Sequence, residues 1–176
     1  MAGAAALAVL VAGSLGLLGW WVVYHPTLDL VPDEPVDALL VIGPLEPWRV
    51  PAAEELMRQG KARNLVLSTP NMPWDAMYCQ EPHDWPAYCF PPEPSTTRGE
   101  AMNYRSLARE KGWKSVLVLT VDFHADRTRF TFERCLRTDV PVTGQHRPEA
   151  DPHRRFMMVY QTAGFVKETL LGRCPA

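Results

Sequence analysis

The N-terminal part of the chain is a separate apolar segment. Residues 3–24 carry no charged side chain, and almost all of them are small, aliphatic or aromatic. A helix of this length rises about 33 Å, which is enough to cross the hydrocarbon core of a bilayer. Trp20, Trp21 and Tyr24 lie together at its C-terminal end, where aromatic rings favour the headgroup level. Residues 1–25 are therefore predicted to be a membrane anchor.

A cleaved signal peptide is the alternative for the same segment. Signal peptides begin with a basic region and end at a site with small residues. The chain has no Lys or Arg before Arg49, and no such cleavage site precedes Trp20. Anchoring is the favoured interpretation.

After the anchor, residues 26–36 read as a stiff tether, with three prolines and three acidic residues. Apolar runs then predict buried strands at residues 37–43, 64–68 and 115–120, with a weaker one at 140–143. Amphipathic spacing predicts helices between them, from residue 51 to Gly60 and over 98–111, 125–136 and 155–171. Strands that alternate with helices imply parallel pairing through right-handed crossovers. Residues 37–176 are predicted to form a Rossmann-like three-layer α/β domain with a small parallel sheet.

Residues 70–95 form a connection much longer than is usual in a compact domain. The segment holds seven prolines and five aromatic residues, and this aromatic content argues against disorder. We predict a lid-like loop over the ligand crevice, which a bridge between Cys79 and Cys89 would fasten.

The four cysteines all lie after the apolar segment, and four cysteines allow three pairings. The complement of a Cys79–Cys89 bridge is Cys135 with Cys174. Paired cysteines suit an oxidising compartment, so the domain is expected outside the cytoplasm as part of a single-pass membrane protein. Four buried free thiols are the alternative.

Composition and charge exclude several classes of protein. The net charge of −2 gives no global basic field, so nucleic-acid binding is not expected. The turn after the first strand lacks the Gly-x-Gly-x-x-Gly spacing, and Pro44 removes an amide donor there. A dinucleotide is therefore disfavoured, and no cofactor is predicted.

Ligands of open parallel sheets bind beyond the carboxyl ends of the strands. Candidate ligand-binding residues at these positions are Gly43 and Arg49 after the first strand, Ser68 after the second, and Thr120, Asp122, His124 and Arg127 after the third. His124 and Arg127, three residues apart at a helix start, are suited to hold an anion.

The start of the helix over 98–111 and the residue before it contribute three further candidates. Residues 97–100 match a capping box, in which Thr97 and Glu100 satisfy amides at the helix start. Arg98 lies between them and is a candidate phosphate ligand. Glu100 either caps the helix or orients an arginine, and it is a tentative catalytic residue together with His124.

Two other chemistries receive less support from the sequence. Asp122, His124 and Asp126 have a spacing that could hold a metal if the segment were extended, but a helix at Asp126 would break the alternation. Ser68 lacks a nucleophile-elbow context, which weakens a hydrolase triad.

The segment from about residue 37 to residue 136 resembles the SanA, ElyC and YdcF family of bacterial proteins, particularly compact actinobacterial forms. The resemblance rests on the first strand, on Arg49 with the following helix and residues 60–64, on residues 96–101, and on Phe123, His124 and Arg127. The chain departs from the family pattern at Pro44, where the first turn is commonly Gly-rich, and at Thr128, where Ala is common.

The resemblance implies a Rossmann-like domain, often anchored and facing outward, with a role in envelope and peptidoglycan homeostasis. One member is associated with S-adenosylmethionine, which should be scarce outside the cytoplasm. The leading hypothesis is an anchored envelope protein whose crevice binds a phosphate-bearing small molecule or a lipid-linked cell-wall intermediate. Arg49, Arg98 and Arg127 would pair the phosphate, and His124 would act as general acid or base.

Two alternatives to this hypothesis remain. One is a non-enzymatic interaction module that uses the aromatic, Pro-rich loop to contact an unidentified protein partner. The other is a metal-dependent phosphoesterase that uses Asp122, His124 and Asp126. The sequence fixes no nucleophile, so hydrolase or transferase chemistry stays open.

Overall fold

The computed structural model describes residues 2–43, 47–69, 78–146 and 154–175. The strands are β1 (Val36–Val41), β2 (Ala62–Ser68), β3 (Ala87–Phe90), β4 (Val116–Val121) and β5 (Val142–Gln145). The helices are α1 (Ala2–Tyr24), α2 (Val50–Arg58), α3 (Thr97–Lys111), α4 (Ala125–Leu136) and α5 (Arg154–Leu171). Short 3₁₀ turns at Pro47–Arg49 and Asp122–His124 precede α2 and α4.

The five strands form one parallel sheet in the order β3-β2-β1-β4-β5, with helices on both sides. The predicted Rossmann-like α/β fold is therefore confirmed. In β1, Ala38 and Leu40 face one layer, which contains Ala101 of α3 and Phe132 of α4. Leu39 and Val41 of β1 face the opposite layer, where α2 packs. Successive side chains of a strand point to opposite faces, so a continuous apolar run is needed to fill both layers.

Strand β3 lies inside the segment that the sequence predicts as a loop. It pairs with β2 along the sheet edge, from Leu65 opposite Ala87 to Ser68 opposite Phe90. Four half-buried residues between prolines do not produce a clear periodic signal, so the sequence pattern misses this strand. Residues 70–77 of the predicted lid lie outside the described residues.

The described aromatic residues of that segment pack onto the domain. Tyr78 and Trp85 lie against the layer of α2, and Tyr88 makes an edge-on contact with Trp113 at 5.3 Å between ring centroids. These rings are half-buried by packing against the domain.

The last strand begins two residues later than predicted. Pro141 has no amide hydrogen, but its carbonyl accepts from the Val118 amide at 3.0 Å. Regular pairing with β4 starts at Val142.

The predicted disulfide pairs are both confirmed. Cys79 is bonded to Cys89 of β3, and Cys135 at the end of α4 is bonded to Cys174 after α5. The first bridge ties the segment before β3 to the sheet edge, and the second ties the C-terminus to α4.

The predicted tether lies against the domain rather than apart from it. The Thr27 amide donates to the Asp126 carboxylate, at 3.2 and 3.3 Å to its two oxygens. Arg129 donates to the Asp29 carboxylate at 2.7 Å. The Val142 amide of β5 donates to the same carboxylate, and the Asp29 amide donates to the Val142 carbonyl. These contacts place the C-terminal end of α1 beside the start of α4.

Helix α1 is long and apolar enough to cross a membrane over Gly3–Trp21, and only a small share of that span is buried inside the protein. In the structure it packs along α5 and touches the turn at Asp122–His124.

Candidate functional site

The carboxyl ends of β1, β2 and β4 meet at one edge of the sheet, where α3 and α4 begin. Most of the predicted site residues gather there, and all of these except Gly43 are buried. They are Gly43 and Arg49 beyond β1, Ser68 at the end of β2, Thr97 and Glu100 in the first turn of α3, Thr120 in β4, and His124 and Arg127 at the start of α4. We call this group the crevice. The turn after Gly43, including Pro44, lies outside the described residues.

Glu100 crosses from α3 to the turn after β1. Its Oε1 accepts a hydrogen bond from the Gly43 amide at 2.6 Å, and the residue is only 5% exposed. Burial raises the pKa of this carboxyl to about 7, although the Gly43 amide, the Ser68 hydroxyl and the charges of Arg127 and Arg49 oppose that rise. Near neutral pH the carboxyl is therefore protonated in a large fraction of molecules.

The capping-box prediction for residues 97–100 is wrong. Helix α3 is capped one residue earlier, where Thr96 accepts from the Gly99 amide at 3.1 Å. The Glu100 side chain turns to Gly43 instead of back to the helix start, since only the fold brings these two segments together. Thr97 is thereby left facing His124.

His124 is held by a side chain on each side of its ring. Its Nδ1 lies 3.2 Å from the Thr120 hydroxyl, and its Nε2 lies 3.2 Å from the Thr97 hydroxyl and 2.7 Å from Nη2 of Arg127. Arginine is only a donor, so Nε2 accepts from it and the proton of the neutral ring is on Nδ1.

Burial, followed by the charges of Arg127 and Arg49, holds the pKa of His124 well below its usual value of 6.5. The imidazole is therefore neutral at physiological pH. The geometry of Nε2 suits a hydrogen-bond acceptor, and the neighbouring group that carries a proton near neutral pH is Glu100.

Two arginines flank these groups. Arg49 is 1% exposed, and its Nη1 donates to the carbonyl of Ile42 at the end of β1 at 2.8 Å. Arg127 is also buried, and its Nε donates to Oε1 of Gln161 at 2.5 Å. The guanidinium of Arg127 also lies 5.3 Å from the ring centre of Tyr160. The described hydrogen bonds of Arg127 go to His124 and Gln161, which are both neutral acceptors.

Arg98 is directed away from the crevice. It donates to Glu168 at 2.9 Å, to the Gly172 carbonyl at 3.0 Å and to the Arg173 carbonyl at 2.8 Å. Arg98 therefore fastens the end of α5 to the start of α3, which argues against the predicted contact with phosphate.

Asp122, His124 and Asp126 do not converge on one point. Asp122 accepts from His146 at 2.5 Å, while Asp126 holds the Thr27 amide and His124 faces Arg127. Asp122 and His124 lie in a 3₁₀ turn and Asp126 lies in α4, so the alternation of an extended segment is lost. Within the described ranges no three His, Cys, Asp or Glu side chains are grouped closely enough to hold a metal ion.

Sequence reasoning missed the contribution of α5 to this region. Gln161 and Glu168 are both buried on the inner face of α5, where they hold Arg127 and Arg98. The available signal was two polar residues seven positions apart, which share one face of a helix.

The crevice therefore combines two buried guanidinium groups, a carboxyl whose pKa of about 7 leaves a large fraction protonated near neutral pH, and a neutral imidazole whose Nε2 is an acceptor. Hydroxyl groups of Thr97 and Thr120 complete its polar lining. Such a set is suited to an anionic ligand, because the ionised carboxylate that would compete for the arginines is partly suppressed. Comparison of the chain with models of known families, with curated proteins and with solved structures finds no match.

Proposed function

We propose that this protein is a membrane-anchored protein of the cell envelope whose crevice binds a phosphate-bearing ligand. The observation that carries the proposal is the pair of buried guanidinium groups, Arg49 and Arg127, at the carboxyl edge of the sheet. Bidentate guanidinium contacts suit phosphate oxygens, and a water-poor crevice strengthens such contacts.

The state of Glu100 supports the same proposal. With a pKa of about 7 its carboxyl carries little charge below neutral pH, so it does not repel an incoming anion there. His124 Nε2, which accepts a hydrogen bond from Arg127 in the structure, is a neutral acceptor for the hydroxyl of a protonated phosphate or of a ligand. The crevice thus has an acid and a base of opposite protonation state, as group transfer or hydrolysis would require.

Two features together support localisation outside the cytoplasm. Helix α1 is apolar enough to anchor the chain, and both pairs of cysteines are joined as disulfides, which persist in oxidising compartments. A ligand in such a compartment would be a soluble phosphate compound or a lipid-linked cell-wall intermediate. The second is the form that a membrane anchor would bring close to the crevice.

The test is a thermal-unfolding screen of the full chain in detergent against inorganic phosphate, pyrophosphate and isoprenyl phosphates. A ligand at about 100 times its Kd adds roughly 2.7 kcal/mol, which raises the Tm by about 5 to 10 °C for a chain of this size. Arg127→Gln is expected to abolish the shift. Arg109→Gln, which removes the same charge from the exposed surface of α3, should retain it.

The outcomes separate the candidate ligands. A shift with inorganic phosphate and pyrophosphate indicates that the headgroup alone is sufficient, whereas a shift confined to isoprenyl phosphates indicates a lipid-linked ligand. No shift with any of these compounds, or equal shifts in both variants, would refute an anion site at Arg127.

A further inference from the structure

The outer face of α5 carries an apolar stripe. Phe156, Val159, Ala163, Val166 and Leu170 follow one another at spacings of three and four residues, so they share one side of the helix. We call these five residues the outer stripe. Phe156, Val159 and Leu170 are 61%, 68% and 82% exposed. An amphipathic helix normally buries such a stripe, and a continuous exposed apolar surface marks an interaction site.

The opposite face of α5 is firmly attached to the domain. Gln161 and Glu168 are buried there, and the ring of Phe165 lies 5.4 Å from that of Phe130 on α4. The Cys135–Cys174 bond holds the chain just beyond the helix. The outer stripe is therefore presented by a helix in a fixed orientation, and not by a frayed end.

Helix α1 runs beside the outer stripe. At Gly19 the two helices approach closely, because a Cβ there would lie 2.7 Å from the Met158 carbonyl oxygen. Further along, an apolar groove of about 800 Å³ separates the helices. It is lined on one side by Ala12, Leu15 and Gly16, and on the other by residues that include Val159, Val166 and Leu170.

The groove lies beside the middle of the apolar span of α1. Residues 12–16 are central in Gly3–Trp21, the part of α1 that can cross a membrane. When this span is in a bilayer, the apolar side chains of α5 on the other wall of the groove continue the lipid-facing surface of α1. Acyl chains of the lipids around α1 can then fill the groove.

We infer that the outer stripe of α5 is a second membrane-contact surface, which lies in the bilayer beside α1. The charges of the described part of α5 fit this surface. Glu168 is turned inward to Arg98, and Lys167 lines the groove, from which its long side chain can extend to anionic headgroups. An interfacial helix of this kind buries its apolar face at the boundary of headgroups and acyl chains.

This surface would orient the crevice relative to the membrane. The same helix that presents the outer stripe to lipid holds Arg127 through Gln161 on its inner face. The crevice would therefore lie one helix thickness from the bilayer. The inference rests on the membrane anchoring in the proposed function, and it holds whatever the crevice binds.

The experiment labels the full chain in vesicles of phosphatidylcholine and phosphatidylglycerol. All four native cysteines are paired, so an environment-sensitive fluorophore can be attached selectively to Val159→Cys, Val166→Cys or the control Glu110→Cys. Glu110 is exposed on α3, about 18 Å along that helix from Arg98. A lipid that carries a spin label on its acyl chain serves as the quencher.

The inference predicts about a twofold or greater loss of emission at residues 159 and 166, with a blue shift, and little change at residue 110. Emission at 159 and 166 that matches the control would overturn it. Labels that the lipid quencher does not reach, together with cross-linking of Val166→Cys between chains, would also overturn it, because a second copy would then cover the outer stripe. Circular dichroism of each labelled variant checks that the fold is retained.

Discussion

Replacement of Glu100 by Gln should change how stability depends on pH. The carboxyl is 5% exposed, and its pKa in the folded protein is about 7, against an ordinary value of 4.5 for glutamate. Gln keeps an oxygen that can accept from the Gly43 amide but does not ionise. The variant therefore isolates the cost of carrying a buried negative charge.

The sign of the effect follows from the direction of the pKa shift. The folded protein binds this proton more tightly than the unfolded chain, so the contribution of Glu100 to stability is complete below about pH 4.5. That contribution is lost as the pH rises to about 7, and it changes little beyond. Between about pH 5 and pH 8, the free energy of unfolding of the native protein should fall by about 2.5 kcal/mol relative to Glu100→Gln.

His124 would otherwise obscure this result. Its pKa is lowered in the folded protein, so its contribution to stability is present above about pH 6.5 and is lost as the pH falls. Because both proteins contain His124, this effect cancels in the difference between them.

The assay is urea unfolding of the full chain in detergent, followed by tryptophan fluorescence, at several pH values for both proteins. We expect the advantage of Glu100→Gln to grow steadily between about pH 5 and pH 8. A difference that stays constant over this range would mean that Glu100 ionises normally in the folded protein. The argument for a protonated carboxyl beside the two arginines would then be refuted.

Two other predictions concern the crevice and the disulfides. Sulfate stays fully ionised near neutral pH, so its affinity for the native protein should decrease as Glu100 ionises above about pH 7, whereas its affinity for Glu100→Gln should stay constant. Calorimetric titration measures both affinities across this pH range. Parallel curves for the two proteins would contradict the role of Glu100. Replacement of Cys135 and Cys174 together by Ser should lower the free energy of unfolding by about 4 kcal/mol, because their bridge closes a loop of 39 residues. Replacement of Cys79 and Cys89 should lower it by about 3 kcal/mol, because their bridge closes a loop of 10 residues. Urea unfolding without reductant compares the pairs, and a larger cost for the shorter loop would contradict this account.

Long periodic segments made the fold largely predictable. β1 and β4 are continuous apolar runs, and α3 and α4 have clear helical spacing, so their positions are found to within one or two residues. β3 was missed because its four residues are half-buried at an edge, where pairing with β2 rather than periodicity determines the structure. The start of β5 was displaced by Pro141.

The candidate site was predictable in location more than in detail. Parallel strands carry the residues that follow them to a common edge, which is why Arg49, His124 and Arg127 could be named in advance. Arg98 is also an arginine in the first turn of a helix that begins at this edge, yet its side chain turns to α5. Local sequence does not encode that choice, because it depends on where a helix more than fifty residues away is packed.

The sequence by itself determined the apolar N-terminal helix, the alternation of strands and helices, and the edge of the sheet where polar residues collect. Each of these follows from local hydrophobic periodicity and from the chirality of parallel crossovers. Only the tertiary structure decided that Glu100 reaches Gly43, that His124 is neutral, and that α5 presents its outer stripe beside α1. Burial and charge at a site are sums over neighbours from distant parts of the chain, and those neighbours are known only once the chain is folded.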